Sequence, residues 1–463
     1  MEEWTDMSFE NRIERLVSAP SAHKLLGALF CWLLPLMMVP VVAAQQSDIA
    51  KTSTNASTGD SPPAALTIDQ AIEEAIQNNL GLLAERVNLT MAAASLITAK
   101  LRPNPVVSFS ADHLDLLGTG FSAGNNGGPP EFAWRVDVPM ERGHKRHWRI
   151  ETAEFEKQIA EAQLLDSIRK LKLEVSLACI DVIQAKANLA LARDNLRTFE
   201  ELVRINDVRV KAGSLAPLEL TRSQVAMLQF RSTVNRAELE LAQAKTKLQN
   251  RLGRKTGVAE LDVLGDLKAP LRPADLPLAS LHEMALVARP DVLTLERTQA
   301  RSQSELKLQL AQGTVDYTWG VEYRRQQGIA GKSNSLGFFF SIPIPLFNRN
   351  QGEIARVRAE QEQLARQAQA LKAQALTEVT SAYQEFRSAR QLVESIERDL
   401  LKPAEQARET VAYVYRTGAS SLIEFLDAQR AFNETMQSYN EAQAAYRRAI
   451  MNLNAAIGKE VIQ

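Results

Sequence analysis

Cysteine is nearly missing from this sequence: 463 residues hold two, Cys31 and Cys179. If an N-terminal leader carrying Cys31 is removed, Cys179 stands alone and no intramolecular disulfide can form. Charge of one sign is also missing. Lys and Arg number 54 against 55 Asp and Glu, a formal net charge of −1. No basic surplus is left for nucleic acid, and a chain 45% hydrophobic is no disordered polyelectrolyte. Mean hydropathy is slightly negative, which excludes a polytopic helical membrane protein. The motifs that carry catalysis are missing too: no G-x-x-x-x-G-K-[ST], H-E-x-x-H or G-x-S-x-G, and no Cys/His cluster. No catalytic residue, metal site or cofactor is therefore assigned, and the expectation is a protein that is not an enzyme.

Long apolar runs are missing with one exception. Leu25–Val42 follows His23-Lys24 and ends in Val42-Ala43-Ala44, giving the charged, apolar and small-residue parts of a signal peptide. Cleavage is expected after Ala44, with a retained anchor as the alternative and Met7 as an alternative start. No other run reaches the roughly 18 apolar residues of a spanning helix. An exported chain of this kind is either soluble or a β-barrel, so its strands must decide.

What is present is a plan used twice. Ala75-Ile76 and Asn79-Leu80-Gly81-Leu82 open a helix expected to run to about Leu101; Ala285-Leu286 and Arg289-Pro290-Asp291-Val292 repeat this about 210 residues later. A strand pair, a very long helix, a glycine turn and another helix follow in each copy. Gly213 answers to Gly418, Leu218-Glu219-Leu220 to Ile423-Glu424-Phe425, and Leu252-Gly253-Arg254 to Ile457-Gly458-Lys459. The expected organisation is a signal peptide (1–44), a linker (45–65), a first repeat (66–258), a second linker (259–279), a second repeat (280–458) and a tail (459–463).

Glycine and proline are absent from Ile150 to Ala212, which predicts a helix on the order of 90 Å long. Its apolar residues alternate by four and three: Ile168, Leu171, Val175, Ala178, Val182, Ala185, Leu189, Ala192, Leu196, Phe199 and Val203. This is a heptad seam. The second repeat carries one through Val379, Ala382, Phe386, Ala389, Val393, Ile396 and Leu400, after which Pro403 must kink or break the helix. A soluble antiparallel coiled coil would show the same seam.

The strands differ from that reading. Phe132, Trp134, Val136 and Val138 alternate with polar or small residues, as do Tyr317, Trp319, Val321 and Tyr323; Leu336, Phe338, Phe340 and Ile342 form a third apolar face. The fourth strand, about Val106 to Leu116, is less regular. Each approaches the roughly 9–11 residues of a tilted membrane strand. Phe132, Trp134, Tyr317, Trp319, Tyr323, Phe338 and Phe340 make the expected interfacial aromatic belt. The Gly- and Asn-rich stretches 118–130 and 326–335 read as outer loops. Four strands leave open edges that lipid does not tolerate. Three copies would supply twelve strands and a lumen.

The order helix, two strands, long helix, glycine turn, helix, performed twice from Leu66 to Gly458, resembles the TolC family of outer-membrane factors. Val136-Asp137-Val138-Pro139-Met140-Glu141-Arg142-Gly143-His144-Lys145-Arg146, and Ser341 through Ile354, are similar to two turns of its CzcC-like heavy-metal branch. The resemblance implies a mainly α fold with transmembrane β: a homotrimer whose twelve-stranded barrel lies in outer-membrane lipid and continues as an α-helical tunnel across the periplasm. It implies a periplasmic adaptor (membrane fusion) protein and an inner-membrane, proton-driven pump of the resistance-nodulation-division class as partners. Gly213, Gly418 and Pro217 would form the tip turns where the adaptor docks. Glu424 and Asp427 match paired acidic residues at the family's entrance, and Tyr415 matches a tyrosine at its constriction; Ser420 stands where TolC has an arginine. Glu219 and Arg222, on the corresponding face of the first repeat, could pair with neighbouring tips.

His144 and His147 lie beside Lys145, Arg146 and Arg149, cations that oppose a metal there; contacts with acidic lipid or neighbouring chains fit better. The expected function is efflux of heavy-metal cations. The alternatives are a multidrug or organic-solute duct of the same fold, a periplasmic adaptor, or a coiled-coil scaffold.

Overall fold

A computed structural model describes residues 65–114, 116, 118, 130–254, 261–268, 277–328 and 331–462. The expected signal peptide and nearly all of the first linker lie outside these residues. So does most of the stretch 118–130.

The chain opens with β1 (Ala65–Leu66) and α1 (Ile68–Asn78). Thr67 and Gln70 start α1 as a capping box, each side chain satisfying the other's amide. The single helix expected here is two. Asn79 takes extended geometry, closes α1 by donating its amide to Ala75, and opens α2 (Leu80–Lys100) by accepting from the Leu82 amide through its side chain. The second repeat divides at the same place. Its α5 (Leu278–Ala288) and α6 (Pro290–Gln312) meet at Arg289, with Pro290 in the first turn of the new helix.

Between these pairs run β2 (Val106–Asp112), β3 (Glu131–Met140), α3 (Lys145–Lys211), α4 (Pro217–Leu252) and β4 (Asp262–Val263). The second copy continues with β5 (Tyr317–Gly328), β6 (Gly331–Ser341), α7 (Gln351–Ser395), a π-helical turn (Ile396–Leu400), α8 (Leu401–Thr417) and α9 (Leu422–Ile457). The expected outer loop 326–335 is mostly strand, since β5 and β6 stay paired as far as Gly328 and Gly331.

The long helix has 67 residues, about 100 Å at 1.5 Å per residue. Its seam faces inward throughout: Val175, Val182 and Phe199 are fully buried, and no seam residue is exposed. The second seam holds through Ile396 and then departs from expectation. Leu400 is 53% exposed, and Leu401 packs on the core instead. The cause is the π turn, where the Leu401 amide reaches back five residues to Ile396. Pro403 has no amide to continue the α-helical ladder, and the turn absorbs the mismatch with one extra residue.

The second linker is not free chain. β4 pairs in parallel with β1, and Leu261, Val263 and Leu267 are buried beside Val175, Cys179 and Ile183. Lys186 holds Asp262 at 2.9 Å. The tail is tucked in as well: Asn454 accepts the Val461 and Ile462 amides and donates to the Ile462 carbonyl.

Both repeats close against their own beginnings. A Cβ at Gly253 would lie 2.3 Å from the Asn78 carbonyl oxygen, and one at Gly458 would lie 3.1 Å from Ala288. Each glycine therefore seats the end of its repeat on the joint between that repeat's first two helices.

Candidate functional site

The strands form one sheet in the order β2-β3-β5-β6, every pair antiparallel. Register places Phe109 opposite Trp134, Trp134 opposite Tyr323, Val138 opposite Trp319, Trp319 opposite Phe340, and Val321 opposite Phe338. The alternation of each strand thus merges into one apolar face. It stays open: Phe132 is 40% exposed, Trp134 46%, Trp319 53%, Tyr323 44%, Phe338 79% and Phe340 51%. Tyr317 differs, being half-buried beneath the Arg142 guanidinium, 4.2 Å from its ring. Phe109 belongs to this belt, its ring 4.7 Å from Trp134; the irregular pattern of its strand hid it.

The opposite face is charged. Arg135 pairs with Asp137 at 2.9 Å, and Arg324 bridges Glu322 and Glu131, both at 2.9 Å. Arg135 also lies 4.1 Å over the Phe339 ring. Gly320 makes room for this crossing, because a Cβ there would meet Asp137 Oδ1 at 2.4 Å. A sheet apolar on one side and ionic on the other suits lipid outside and water inside. Large side chains left in water forgo roughly 1.5–3 kcal/mol each relative to burial. The edges of β2 and β6 pair with nothing among the described residues.

Among the described residues, two helices carry an 18-residue window apolar enough on average to cross a membrane, although neither is an unbroken apolar run. In α3 half of that window is buried within the chain; in α2 only 6% is, leaving Val87, Met91 and Ile97 exposed.

The basic turn between β3 and α3 is tied into its own chain through Lys145 and Arg149, while His144, Arg146 and His147 stay exposed. Asp316 accepts from the Arg142 amide at 2.8 Å and from Lys145 Nζ at 2.7 Å. Arg149 pairs with Glu141 and donates to the Ala99 and Leu101 carbonyls, while Arg146 donates to that of Lys100. The matching turn before α7 docks on the same joint, Asn350 donating to the Gln309 backbone and side chain. His144 and Asn350, which precede the two helices, share a left-handed conformation, φ 60° and 63°. His147 lies 3.8 Å from Glu151, and no metal-binding cluster occurs among the described residues.

The two glycine turns are alike in detail. Gly213 (φ 72°) and Gly418 (φ 85°) close α3 and α8, with Ser214 donating to Arg209 and Ala419 to Val414. These are Schellman closures, which need the left-handed region that glycine enters freely. Pro217 then occupies the first turn of α4. Glu219 and Arg222 pair with each other at 3.0 Å, on the surface of α4.

Glu424 is committed to its own helix. Its carboxylate accepts from the Ser420 hydroxyl at 2.6 Å and the Ser421 amide at 3.0 Å, while Ser421 Oγ accepts from the Glu424 amide. The Ser420 bond first, and the Ser421 amide second, hold its carboxyl below the usual range. Asp427, one turn on, is exposed. Ser420 thus supports the acid.

Tyr415 is 4% exposed, packed with Phe199, Leu422 and Phe425. Within the chain it is a contact between helices of the two repeats. Its phenol donates to Asn206 of α3, and burial raises its pKa. Arg209 donates to the Tyr415 and Arg416 carbonyls, so a side chain of the first hairpin caps the end of a helix of the second.

A sheet greasy outside and ionic inside, continued into helices far longer than a globular core requires, is the build of an outer-membrane channel subunit. The chain belongs to the outer membrane efflux protein family, whose model matches residues 71–254 and 281–459, one segment for each repeat. Its relatives are channel proteins rather than enzymes, and its place is the outer membrane, with the helices extending into the periplasm. The cobalt-zinc-cadmium resistance protein CzcC of Cupriavidus metallidurans is 24% identical over 404 residues, covering 85% of this chain and 90% of that one. The pyoverdine export outer membrane protein OpmQ of Pseudomonas aeruginosa is 22% identical over 419 residues, covering 84% and 85%. In structure, the Campylobacter jejuni CmeC outer membrane channel superposes with a TM-score of 0.70 at 13% identity, covering 88% of this chain and 92% of that one.

Proposed function

We propose that three copies of this chain close a twelve-stranded barrel and a helical tunnel that conduct heavy-metal cations out of the cell. The observation that carries the assembly is the sheet itself. Its two unpaired edges cannot face lipid, and its ionic side needs water. The exposed apolar side of α2 then lies between copies rather than in the bilayer. Energy comes from an inner-membrane pump of the resistance-nodulation-division class, joined to the channel by a periplasmic adaptor that docks on the hairpin turns at Gly213 and Gly418. Glu424 and Asp427 would form stacked acidic rings at the entrance.

The cargo reading rests on the two junction turns and on the similarity to a cobalt-zinc-cadmium resistance protein. The match to a pyoverdine exporter favours an organic solute as the second reading. Deletion of the gene separates them: lost tolerance to cobalt, zinc or cadmium supports the first, and unchanged metal tolerance with lost export of an organic solute supports the second. Purified protein in planar bilayers, with its oligomer mass measured on the same sample, tests the channel. Monomers without conductance would overturn it.

A further inference from the structure

The apolar alternation of β6 does not stop where the strand stops. Leu336, Phe338 and Phe340 are followed by Ile342, Ile344 and Leu346 at the same spacing, and then by Phe347. Beyond the sheet these side chains find little cover among the described residues: Ile344 is 76% exposed, Leu346 67% and Phe347 89%. Pro343 and Pro345 keep the segment extended. Arg349 donates to the Pro345 carbonyl and ties its far end back on itself. Ile342–Pro345 thus run on from the strand, and the chain then bends at Leu346 and Phe347, where the Leu346 amide donates to the Ile344 carbonyl, with the apolar side chains still exposed.

The chain also has an open recess with an apolar floor and a charged rim. About 600 Å³ in volume, it lies between α2, the start of α3 and the end of α6; Ala99, Leu101, Pro103, Ala153 and Leu308 line it, with Ser95 at its side and Arg102, Glu141, Arg149 and Glu156 around its edge. Thr152 borders it, 7% exposed, with its hydroxyl lacking a partner among the described residues. The recess adjoins the five residues that lead into β2.

Sheet order brings segment and recess together across copies. β6 and β2 are the two free edges, and β6 runs antiparallel to the β2 edge that would complete the ladder. Val106 stands level with Asp137, Gly320 and Phe339 in the existing register. Closing the edges therefore lays the residues after Ser341 alongside those before Val106 of the next copy, beside its recess. We infer that Ile344–Phe347 of one copy seats in the α2–α3–α6 recess of its neighbour, extending the strand seam below the membrane. The inference rests on the proposed trimer and names a contact that the trimer alone does not specify.

Disulfide trapping tests it. In a Cys31→Ala, Cys179→Ala background, Phe347→Cys is combined with Ser95→Cys or with Thr152→Cys, and the protein is purified from outer membranes in detergent. Native mass fixes the oligomer, and mild oxidation followed by non-reducing gels reads the contact. Dimer and trimer bands that vanish on reduction, and that neither single cysteine produces, are expected. A trimer by mass without these bands overturns the seating while leaving the channel reading intact. A monomer by mass overturns both. Phe347→Trp in a Trp134→Phe, Trp148→Phe, Trp319→Phe background, reconstituted with brominated phospholipid, reads the other occupant without signal from the native belt indoles. Strong quenching assigns the segment to lipid and overturns the inference, whereas unquenched emission agrees with it.

Discussion

The phenol of Tyr415 donates a hydrogen bond to Asn206 Oδ1 at 2.9 Å, joining the second helical hairpin to the first inside a buried contact. Arg209, less than a turn further along α3, adds its bonds to the Tyr415 and Arg416 carbonyls. Opening the helical end by parting these hairpins must break this set.

Tyr415→Phe leaves Asn206 without its donor and is expected to weaken the contact by about 1–2 kcal/mol. Arg209→Ala should cost a similar amount, roughly 1–2 kcal/mol after allowing for its partial exposure. Together they are expected to raise single-channel conductance, read in planar bilayers. Unchanged conductance with an unchanged melting temperature would show that these bonds do not restrain the opening.

The acidic pair at the start of α9 gives a charge prediction and a pH prediction. Glu424→Gln with Asp427→Asn should lower cation over anion selectivity, measured from reversal potentials in a salt gradient. Equal selectivity would remove the ring from the mechanism. The Glu424 carboxyl is held below its usual value, chiefly by Ser420. A depressed acid stabilises the fold above its unfolded pKa, and that contribution is lost as pH falls through the folded value. Protection factors against amide exchange at the first turn of α9 should therefore fall on acidification below the ordinary carboxylate range, once the slower intrinsic exchange at low pH is allowed for. Glu424→Gln retains an acceptor for the box, and in it that acid-dependent change should be absent.

Gly320→Ala puts a methyl group where Asp137 Oδ1 and the Phe339 side chain already lie. A cost of about 1–3 kcal/mol is expected, from overpacking and from displacing the Arg135–Asp137 pair. The result should be fewer heat-resistant oligomers on gels. Gly352→Ala has open space around its added Cβ and serves as the tolerated control.

Arg289 is 3% exposed and holds Asp291, Glu378 and the Ala456 carbonyl at the joint of α5 and α6. Removing it strands two carboxylates and an acceptor, and Arg289→Met should cost roughly 3–5 kcal/mol. Arg289→Lys cannot span all three acceptors as the planar fork does and should recover little. Calorimetry of the detergent-solubilised protein reads both.

Much of this architecture was legible because it is periodic. The four-and-three rhythm from Ile168 to Val203, and the alternation around Trp134 and Trp319, each reflect a burial rule that acts along one element. The repeat was legible because Gly213 and Gly418 meet the same geometric need. What escaped involves partners distant in the chain. Nothing local marks Tyr415 as buried rather than lumenal, since Asn206 lies on another helix. The basic turn at Lys145 and Arg149 looked free until Asp316 and the carbonyls of α2 arrived beside it. Glu424 had the spacing of a capping box with Ser421, a signal passed over in favour of its charge.

The π turn at Ile396–Leu400 sets the phase of everything beyond it. An α-helix advances about 100° per residue, so one extra residue rotates the following helix by that angle relative to an unbroken ladder. The inward positions accordingly pass from Val393 and Ile396 to Leu401, Ala404, Arg408, Val411 and Tyr415, each one place later than the old rhythm would put it. Tyr415 meets Asn206 only because of that offset. Shortening the chain by Asp399 would leave composition and helix content almost untouched, yet it would turn the phenol away from its acceptor by more than a quarter of a circle. A length change of a single residue there would uncouple the two hairpins as surely as removing the residues that join them.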